Sequence, residues 1–480
     1  MMAAWRLSAD PAVHVILLDA GVDPGPLVPL SLRRHMLLPN EFYWDYVAAD
    51  TGTFLPRGKV LGGTSAANAA AAVRGHPRCF DAWGPGWTWR DCLPAFVGLE
   101  SDQQFGNLPY HGDAGPIPIT RFPADNFDAE LNGVFETLGH RAIEDHNEPD
   151  AFGYAPWPTN RVSGDRASTL LQLLPHLRAR PNVTIRPSSL VRRVVTANGT
   201  ACGVLVESDR GPEIVDGDAI VLAAGTFGSP EILFASGIGD ADDLRVADVA
   251  VVADLPAVGR NLADHPFLQM IVDVHAGDHY PRGAAHGSLL TFEPDLPGKH
   301  LGHVFAYQTA CFDPGARPSQ ASVTVALMTP VSRGRLVLNA HGRAEVHLGH
   351  FTHANDLTTG AALLAHAREV IAAAASRGVV KVPDDAWWSY PLAEPELRSR
   401  AVTYHHPVGT CRMGAGADAV VGPNLGVHGI DRLYVADASV MPHLPRGTTN
   451  LAAMMIGWRA ADLISSNLAF KTTSPQKDSL

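Results

Sequence analysis

The chain has few cysteines, no long basic run, no apolar run of membrane-spanning length and no internal repeat. Each absence removes a class of protein. The five cysteines (Cys79, Cys92, Cys202, Cys311 and Cys411) are odd in number and widely spaced, with no C-x-x-C pair. That is neither a disulfide framework nor a zinc site, so no metal centre is expected and a reducing cytoplasm is the simplest compartment. The net charge of −12 argues against a nucleic-acid partner. No apolar stretch approaches the roughly 20 residues of a spanning helix, so no transmembrane segment is expected. No signal peptide is visible, although a chain lacking its natural start could not show one.

What is present is a globular composition. Hydrophobic residues make up 46% and charged residues 18% of 480 positions, enough for a large core and for two or more domains. The oligomeric state is not legible.

Residues 3–9 read as helix and 13–19 as a strand ending in Asp19. Residues 22–55 are Pro-rich and irregular. A Gly62-Gly63 turn leads into an Ala-rich stretch, Ser65 to Val73, that reads as helix. Residues 85–165 read as loops and short helices, and 166–179 as helix. Strands follow at 183–186, 190–195 and 201–207, with a buried strand over 219–224. From about 268 to 352 apolar and polar residues alternate, the period of a half-buried antiparallel sheet. Residues 355–377 read as an Ala-rich helix, and the polar end as a disordered tail.

A dinucleotide-binding βαβ unit starts with a buried strand and a G-x-G-x-x-G turn, with an acid for the ribose about 20 residues later. Asp19 is placed as that acid. The glycine turn would then fall at or before Met1, so the first strand and the phosphate loop are absent from this sequence. Two explanations compete: a start site downstream of the true one, or a protein that has lost normal dinucleotide binding.

Near the C-terminus the chain reads Tyr404-His405-His406-Pro407-Val408-Gly409-Thr410-Cys411-Arg412-Met413-Gly414. A histidine fixed in a Pro/Gly-framed turn suits a catalytic base that titrates near neutrality. On chemistry alone a structural histidine is equally open. His405 would point elsewhere along an extended segment, as a structural or pocket-lining residue. Asn450 opens an apolar helix, where it is either a neutral donor to the same pocket or a helix N-cap.

Four blocks taken together resemble the glucose-methanol-choline (GMC) family of flavin oxidoreductases. They are the C-terminal block with Val435-Ala436-Asp437-Ala438-Ser439, the stretch Pro56 to Asn68, the stretch Gly225 to Leu233, and Val258-Gly259-Arg260-Asn261-Leu262-Ala263-Asp264-His265. The resemblance runs to about residue 466. It implies an α/β fold, with a Rossmann-like FAD-binding domain interleaved with an α+β substrate domain on an antiparallel sheet. Residues 1–264 would be mainly FAD-binding, with a loop-rich insertion at 85–165. Residues 265–400 would bind substrate, 401–466 would return to the FAD domain, and 467–480 would be the tail.

The resemblance further implies oxidation of an alcohol to an aldehyde or ketone by base-assisted hydride transfer to flavin N5. His406 matches the family's catalytic histidine and Asn450 its second polar position. Asp19, Gly62, Gly63, Asn68, Val191, Asp437 and Ala438 match cofactor-binding positions, Asp437 with a turn-capping role as the alternative. Ala67 stands where some members carry a covalent histidine link, so FAD is expected to be noncovalent. The partners would be a small-molecule alcohol and an electron acceptor, either oxygen or a redox carrier. The substrate wall would include Trp157, His303, Phe305, Tyr307 and Phe312. The alternatives are a lyase of the hydroxynitrile type and a cofactor-deficient, non-catalytic homologue.

Overall fold

A short apolar run, Val15–Leu18, pairs in parallel with Val183–Arg186, in register from Val15↔Val183 to Leu18↔Arg186. A second parallel ladder joins Ile220–Leu222 to Leu433–Val435. The computed structural model that carries these elements describes residues 1–274, 287–294, 296, 301–311, 313, 315–317, 319–390 and 392–473, with side chains up to 467. Phe312 and residues 474–480 lie outside the described residues. Helices Met2–Leu7, Trp89–Leu99, Gly225–Ala235 and Thr449–Thr473 belong to the same lobe. Its core buries Phe96, Leu222, Phe227, Val435, Leu451 and Ile456. The last helix reaches Thr473, past the boundary at 466 where a disordered tail was expected.

The second lobe is an antiparallel sheet. Its strand order is Val380–Lys381, Pro266–Val274, Gln320–Leu327, Gly302–Gln308, Ser288–Phe292 and Gly153–Pro156. Val402–Thr403 also pairs with Pro266–Val274. The alternation seen in the sequence assigns its faces. Leu268, Met270, Val272, Val304 and Ala306 pack under helices Asn126–Thr137 and Ala354–Ser376. His303, Phe305 and Tyr307 project from the opposite face, where Phe305 and Tyr307 join Trp157, Val73 and Leu289 in an aromatic cluster. Among the described residues, no helix is long and apolar enough to cross a membrane.

Three sequence expectations need correction. First, the Ala-rich stretch 65–73 is not an α-helix. It is a 3₁₀ turn, Gly63–Ala66, followed by irregular chain. Its carbonyls are taken by long-range donors instead of by residues four positions on. The Arg166 guanidinium donates to Ala66 and Asn68. The Asn160 N–H donates to Ala70, Asn147 Nδ2 to Ala72, and the Thr448 N–H to Val73. Asn68 Oδ1 accepts the Ala70 N–H, and Ala70 sits at φ 60°, outside helical space. Alanine's helix propensity is overridden by this tertiary network.

Second, the helix expected over 166–179 divides into Thr169–Gln172 and Leu174–Arg178, because Pro175 has no N–H with which to continue the first. Third, the loop-rich insertion 85–165 holds two regular helices. Each starts with a reciprocal capping box, Thr88 with Asp91 and Asp125 with Asp128. The insertion also gives the strand Gly153–Pro156 to the substrate sheet.

A fully buried charge network ties this insertion to the first lobe. The Arg74 guanidinium pairs with Glu100, and both side chains are completely inaccessible. His111 Nδ1 lies 2.7 Å from Glu100 Oε1, and its Nε2 lies 2.8 Å from Asp145 Oδ2. Arg121 bridges Asp102 at 2.8 Å and Asp145 at 2.5 Å. Burial opposes charge on His111, but hydrogen bonds to Asp145 and Glu100 outweigh it and raise the imidazole above its ordinary range. With His111 protonated, three cations face three carboxylates. Glu100, Asp102 and His111 are metal-ligand types in close proximity. Here, however, Arg74 and Arg121 already occupy the two carboxylates.

Candidate active site

The chain from Ala263 to His265 runs antiparallel to Tyr404–Val408, with the Ala263 N–H donating to the Val408 carbonyl and the Val408 N–H returning to Ala263. The Tyr404 N–H donates to the His265 carbonyl at 2.9 Å. This pairing brings the two histidine blocks face to face. His265 Nδ1 and His406 Nδ1 are 3.0 Å apart, with their rings nearly perpendicular. Asp264 fixes the backbone: Oδ1 accepts the His406 N–H at 2.9 Å, and Oδ2 lies 3.1 Å from His350 Nε2. Gly409 adopts φ 92°, and a Cβ there would sit 2.5 Å from the Asn261 carbonyl oxygen, so the turn after His406 requires glycine.

Electrostatics follow from this enclosure. Burial would raise Asp264, but the His350 hydrogen bond and charge prevail and hold the carboxyl well below its usual range. Protein packed around His406, with His265 adding to it, holds its imidazole well below the ordinary histidine range. His265 is lowered to about 3 by burial. His406 is therefore neutral at pH 7 and does not titrate near neutrality as its sequence context suggests. His405 takes φ 64°, and its carbonyl accepts from Arg57 Nη1 at 3.2 Å. Its side chain is exposed, yet the surrounding protein and the Arg57 charge lower it to about 4.

Asn450 sits in the first turn of helix Thr449–Thr473. The preceding Thr448 anchors that turn by donating Oγ1 to the carbonyls of Ala71 and Val73 at 3.1 Å. Asn450 lies inside the helix and not at its cap position, and among the described residues its Nδ2 is buried without a hydrogen-bond partner. Tyr404 Oη, Trp157 Nε1 and both ring nitrogens of His303 are likewise buried without partners. The Tyr404 ring stacks on Phe305 and lies 4.5 Å from the His406 ring. Tyr404, Trp157 and His303, together with the aromatic face of the sheet, form one continuous wall.

The expected cofactor positions fall in two groups. Asp19 ends the parallel pair, and its Oδ1 accepts the Gly21 N–H at 2.8 Å. Burial lifts its carboxyl to about 6. The Ser189 N–H donates to the Asp19 carbonyl, two residues before Val191, and the Leu61 N–H donates to Val22. Asp19, Gly62, Gly63 and Val191 thus gather at one end of the strands. Gly63 is left-handed, with nothing within 4 Å of a Cβ position, so its backbone is open to a flat neighbour.

In the second group Ala438 accepts the Gly409 N–H at 3.3 Å, beside the histidine turn. The Asp437 carboxylate is fully engaged: it accepts from the Gly225 N–H at 2.8 Å, Ser229 Oγ at 2.5 Å and the Ser439 N–H at 2.8 Å. It caps two turns, which leaves only backbone at Asp437 and Ala438 for a ligand. Asn68 spends its Oδ1 on Ala70, in the segment that Thr448 holds. Sequence reading missed His265, Asp264 and His350 as neighbours of His406. His350 follows a separate hairpin, and no local signal marks it.

These residues fit an extended flavin dinucleotide at both ends. The strand-end acid Asp19 would take the ribose end, the open backbone of Gly63 gathered near it would follow the dinucleotide, and the buried Asn450 amide would face the isoalloxazine end.

Comparison with known proteins agrees. Family models for GMC oxidoreductases match residues 46–267 and 330–457. A 5-(hydroxymethyl)furfural oxidase from Methylovorus sp. (strain MP688) is 30% identical, covering 96% of each chain. An alcohol dehydrogenase [acceptor] from Pseudomonas putida is 29% identical, over 96% of this chain and 93% of that one. The crystal structure of pyridoxine 4-oxidase from Mesorbium loti superposes with a TM-score of 0.85 at 28% identity, covering 96% of both chains. The histidine pair, the antiparallel wall and these matches point the same way, and the chain belongs to the GMC oxidoreductase family, whose cofactor is FAD.

Proposed function

We propose that this enzyme oxidises an alcohol to an aldehyde or ketone, with His406 as the proton acceptor and Asn450 as the neutral donor that orients the alcohol oxygen. Bound FAD supplies the acceptor for the hydride leaving the alcohol carbon. The observation that carries the reading is the contact between His265 Nδ1 and His406 Nδ1 at 3.0 Å. Two neutral imidazoles at that distance need one donor and one acceptor. If His406 donates from Nδ1, its Nε2 keeps a lone pair, the state required of a base. His265 is then a positioning residue that selects the tautomer, and Asp264 fixes the backbone below it. Asp19 and Val191 would hold the adenosine end of FAD. Gly62, Gly63, Asn68, Asp437 and Ala438 would hold the remainder, the last two through backbone. Electrons then pass to oxygen or to a redox carrier, and peroxide release during turnover distinguishes the two.

The pH profile tests the base. A base whose imidazole is held below the ordinary histidine value of 6.5 stays unprotonated until the pH falls through its lowered pKa. We expect kcat/KM for flavin reduction to stay level down past pH 6.5 and to decline only on the more acid side. An acid limb at or above that value would contradict the assignment.

Ala67 offers no nucleophile for a covalent flavin link. Acid precipitation is therefore expected to release all flavin into the supernatant. A yellow pellet would overturn noncovalent binding.

A further inference from the structure

A cavity of about 390 Å³ opens between the chain just after helix Leu30–Arg34 and the end of the strand Gly302–Gln308, lined by Arg34, His35, Met36, Leu37, Arg161 and Cys311. Arg161 is 2% exposed, and among the described residues no carboxylate lies within hydrogen-bond distance of it. Its guanidinium makes only long contacts, to the Gly164 carbonyl at 3.2 Å, the Ala69 carbonyl at 3.4 Å and Met36 Sδ at 3.5 Å, and its Nε has no partner. A buried charge normally has a counter-ion. Asp165, the carboxylate whose charge acts on Arg161, is already shared by Arg33 and Arg34. Arg166 stands behind, bonded only to backbone carbonyls. Four guanidinium groups therefore face one carboxylate, in a chain whose net charge is −12.

One lining residue, Met36, connects the cavity to the active-site wall by packing. Met36 packs on the cluster of Trp157, Phe305 and Tyr307, and Tyr404 packs on the same cluster next to His406. We infer that this cavity is an anion subsite in which Arg161 binds a carboxylate carried by the substrate, so that the preferred substrates are aromatic alcohols bearing an acid group remote from the hydroxymethyl carbon. The substrate half of this inference rests on the alcohol-oxidation reading above; the anion subsite does not. The planar fork of arginine matches a carboxylate, and the aromatic wall suits a flat ring between the two ends.

The test uses non-oxidisable probes on the full chain. Calorimetric titration with 4-methylbenzoate and with 4-methylbenzamide compares charge at constant shape. We expect the benzoate to bind at least about 10-fold more tightly, the range of a charge-assisted hydrogen bond, and Arg161→Met to abolish the difference while FAD content is unchanged. Arg161→Lys should retain part of it. Equal affinity for the two probes on the unchanged chain overturns the subsite even if Arg161→Met does not fold. Inorganic phosphate that competes as well as the benzoate would also overturn it, since the site would then be a plain anion site with no ring selectivity. Loss of FAD in Arg161→Met would place the arginine on the cofactor instead and overturn it too. Benzoate binding that depends on Arg161, with no turnover of 4-(hydroxymethyl)benzoate, would overturn the substrate half and leave the anion subsite standing, and turnover of uncharged aryl alcohols in the same assay would show that alcohol oxidation itself survives.

Discussion

His406→Ala is expected to slow alcohol-dependent flavin reduction by about 10²–10⁴-fold, the usual contribution of a positioned general base, while FAD remains bound. The side chain meets His265 and Tyr404, whereas the expected cofactor contacts lie on other segments. The loss should therefore appear in kcat rather than in flavin content. Anaerobic stopped-flow absorbance of the bound flavin reads it directly. His265→Ala separates two roles. It leaves the base in place and removes the group that selects its tautomer, so a smaller loss is expected, and the double variant should lose no more than His406→Ala alone. Full-rate bleaching in His406→Ala would move the base elsewhere, with His303 the nearest alternative on the wall.

The second large effect concerns stability. Glu100→Gln or Arg74→Met leaves an uncompensated charge in a site with no water access. Breaking one side of a buried ion pair costs about 3–5 kcal/mol. The segment at stake also carries function. The Arg74 N–H donates to Asn147 Oδ1, and the adjoining Ala71 to Val73 carbonyls hold Thr448, two residues before Asn450. We expect a lower urea midpoint in either variant and, in whatever folds, a loss of turnover through Asn450. The pH dependence has a definite sign. His111 has a raised folded value, so its contribution is fully present below its ordinary 6.5 and is lost as pH rises through the raised value. The midpoint difference between Glu100→Gln and the unchanged chain should be largest below pH 6.5 and shrink above it. A difference independent of pH would mean that His111 is neutral in the network.

Much of this site could be read from the sequence, because its key residues lie in contiguous blocks. The turn around His406 is set by Pro407 and Gly409, and the asparagine at the start of the last helix is visible without coordinates. Of the alternation over 268–352, the part up to Leu327 identified the sheet whose aromatic face now borders His406, whereas Arg335–Leu338 and Ala344–His347 form a separate hairpin whose Leu336 and Val346 pack in the core of the first lobe. What could not be read were partners distant in sequence. Asp264 and His406 are 142 residues apart, and Arg74 and Glu100 are 26 apart across an insertion. Local propensity even misdirected the reading at 65–73, where alanines suggest helix. Arg166 lies about a hundred residues downstream, and its guanidinium satisfies those carbonyls instead. A buried arginine leaves no periodic trace of this kind. Arg161 and its cavity were hidden for the same reason.

The most direct test of the central claim is the visible spectrum of the purified chain, recorded anaerobically before and after addition of aryl alcohols. The account predicts a two-band flavin spectrum that at least one alcohol bleaches, with the corresponding aldehyde formed in equal amount. A bound flavin that no alcohol bleaches, in a protein that instead cleaves a cyanohydrin, would contradict it.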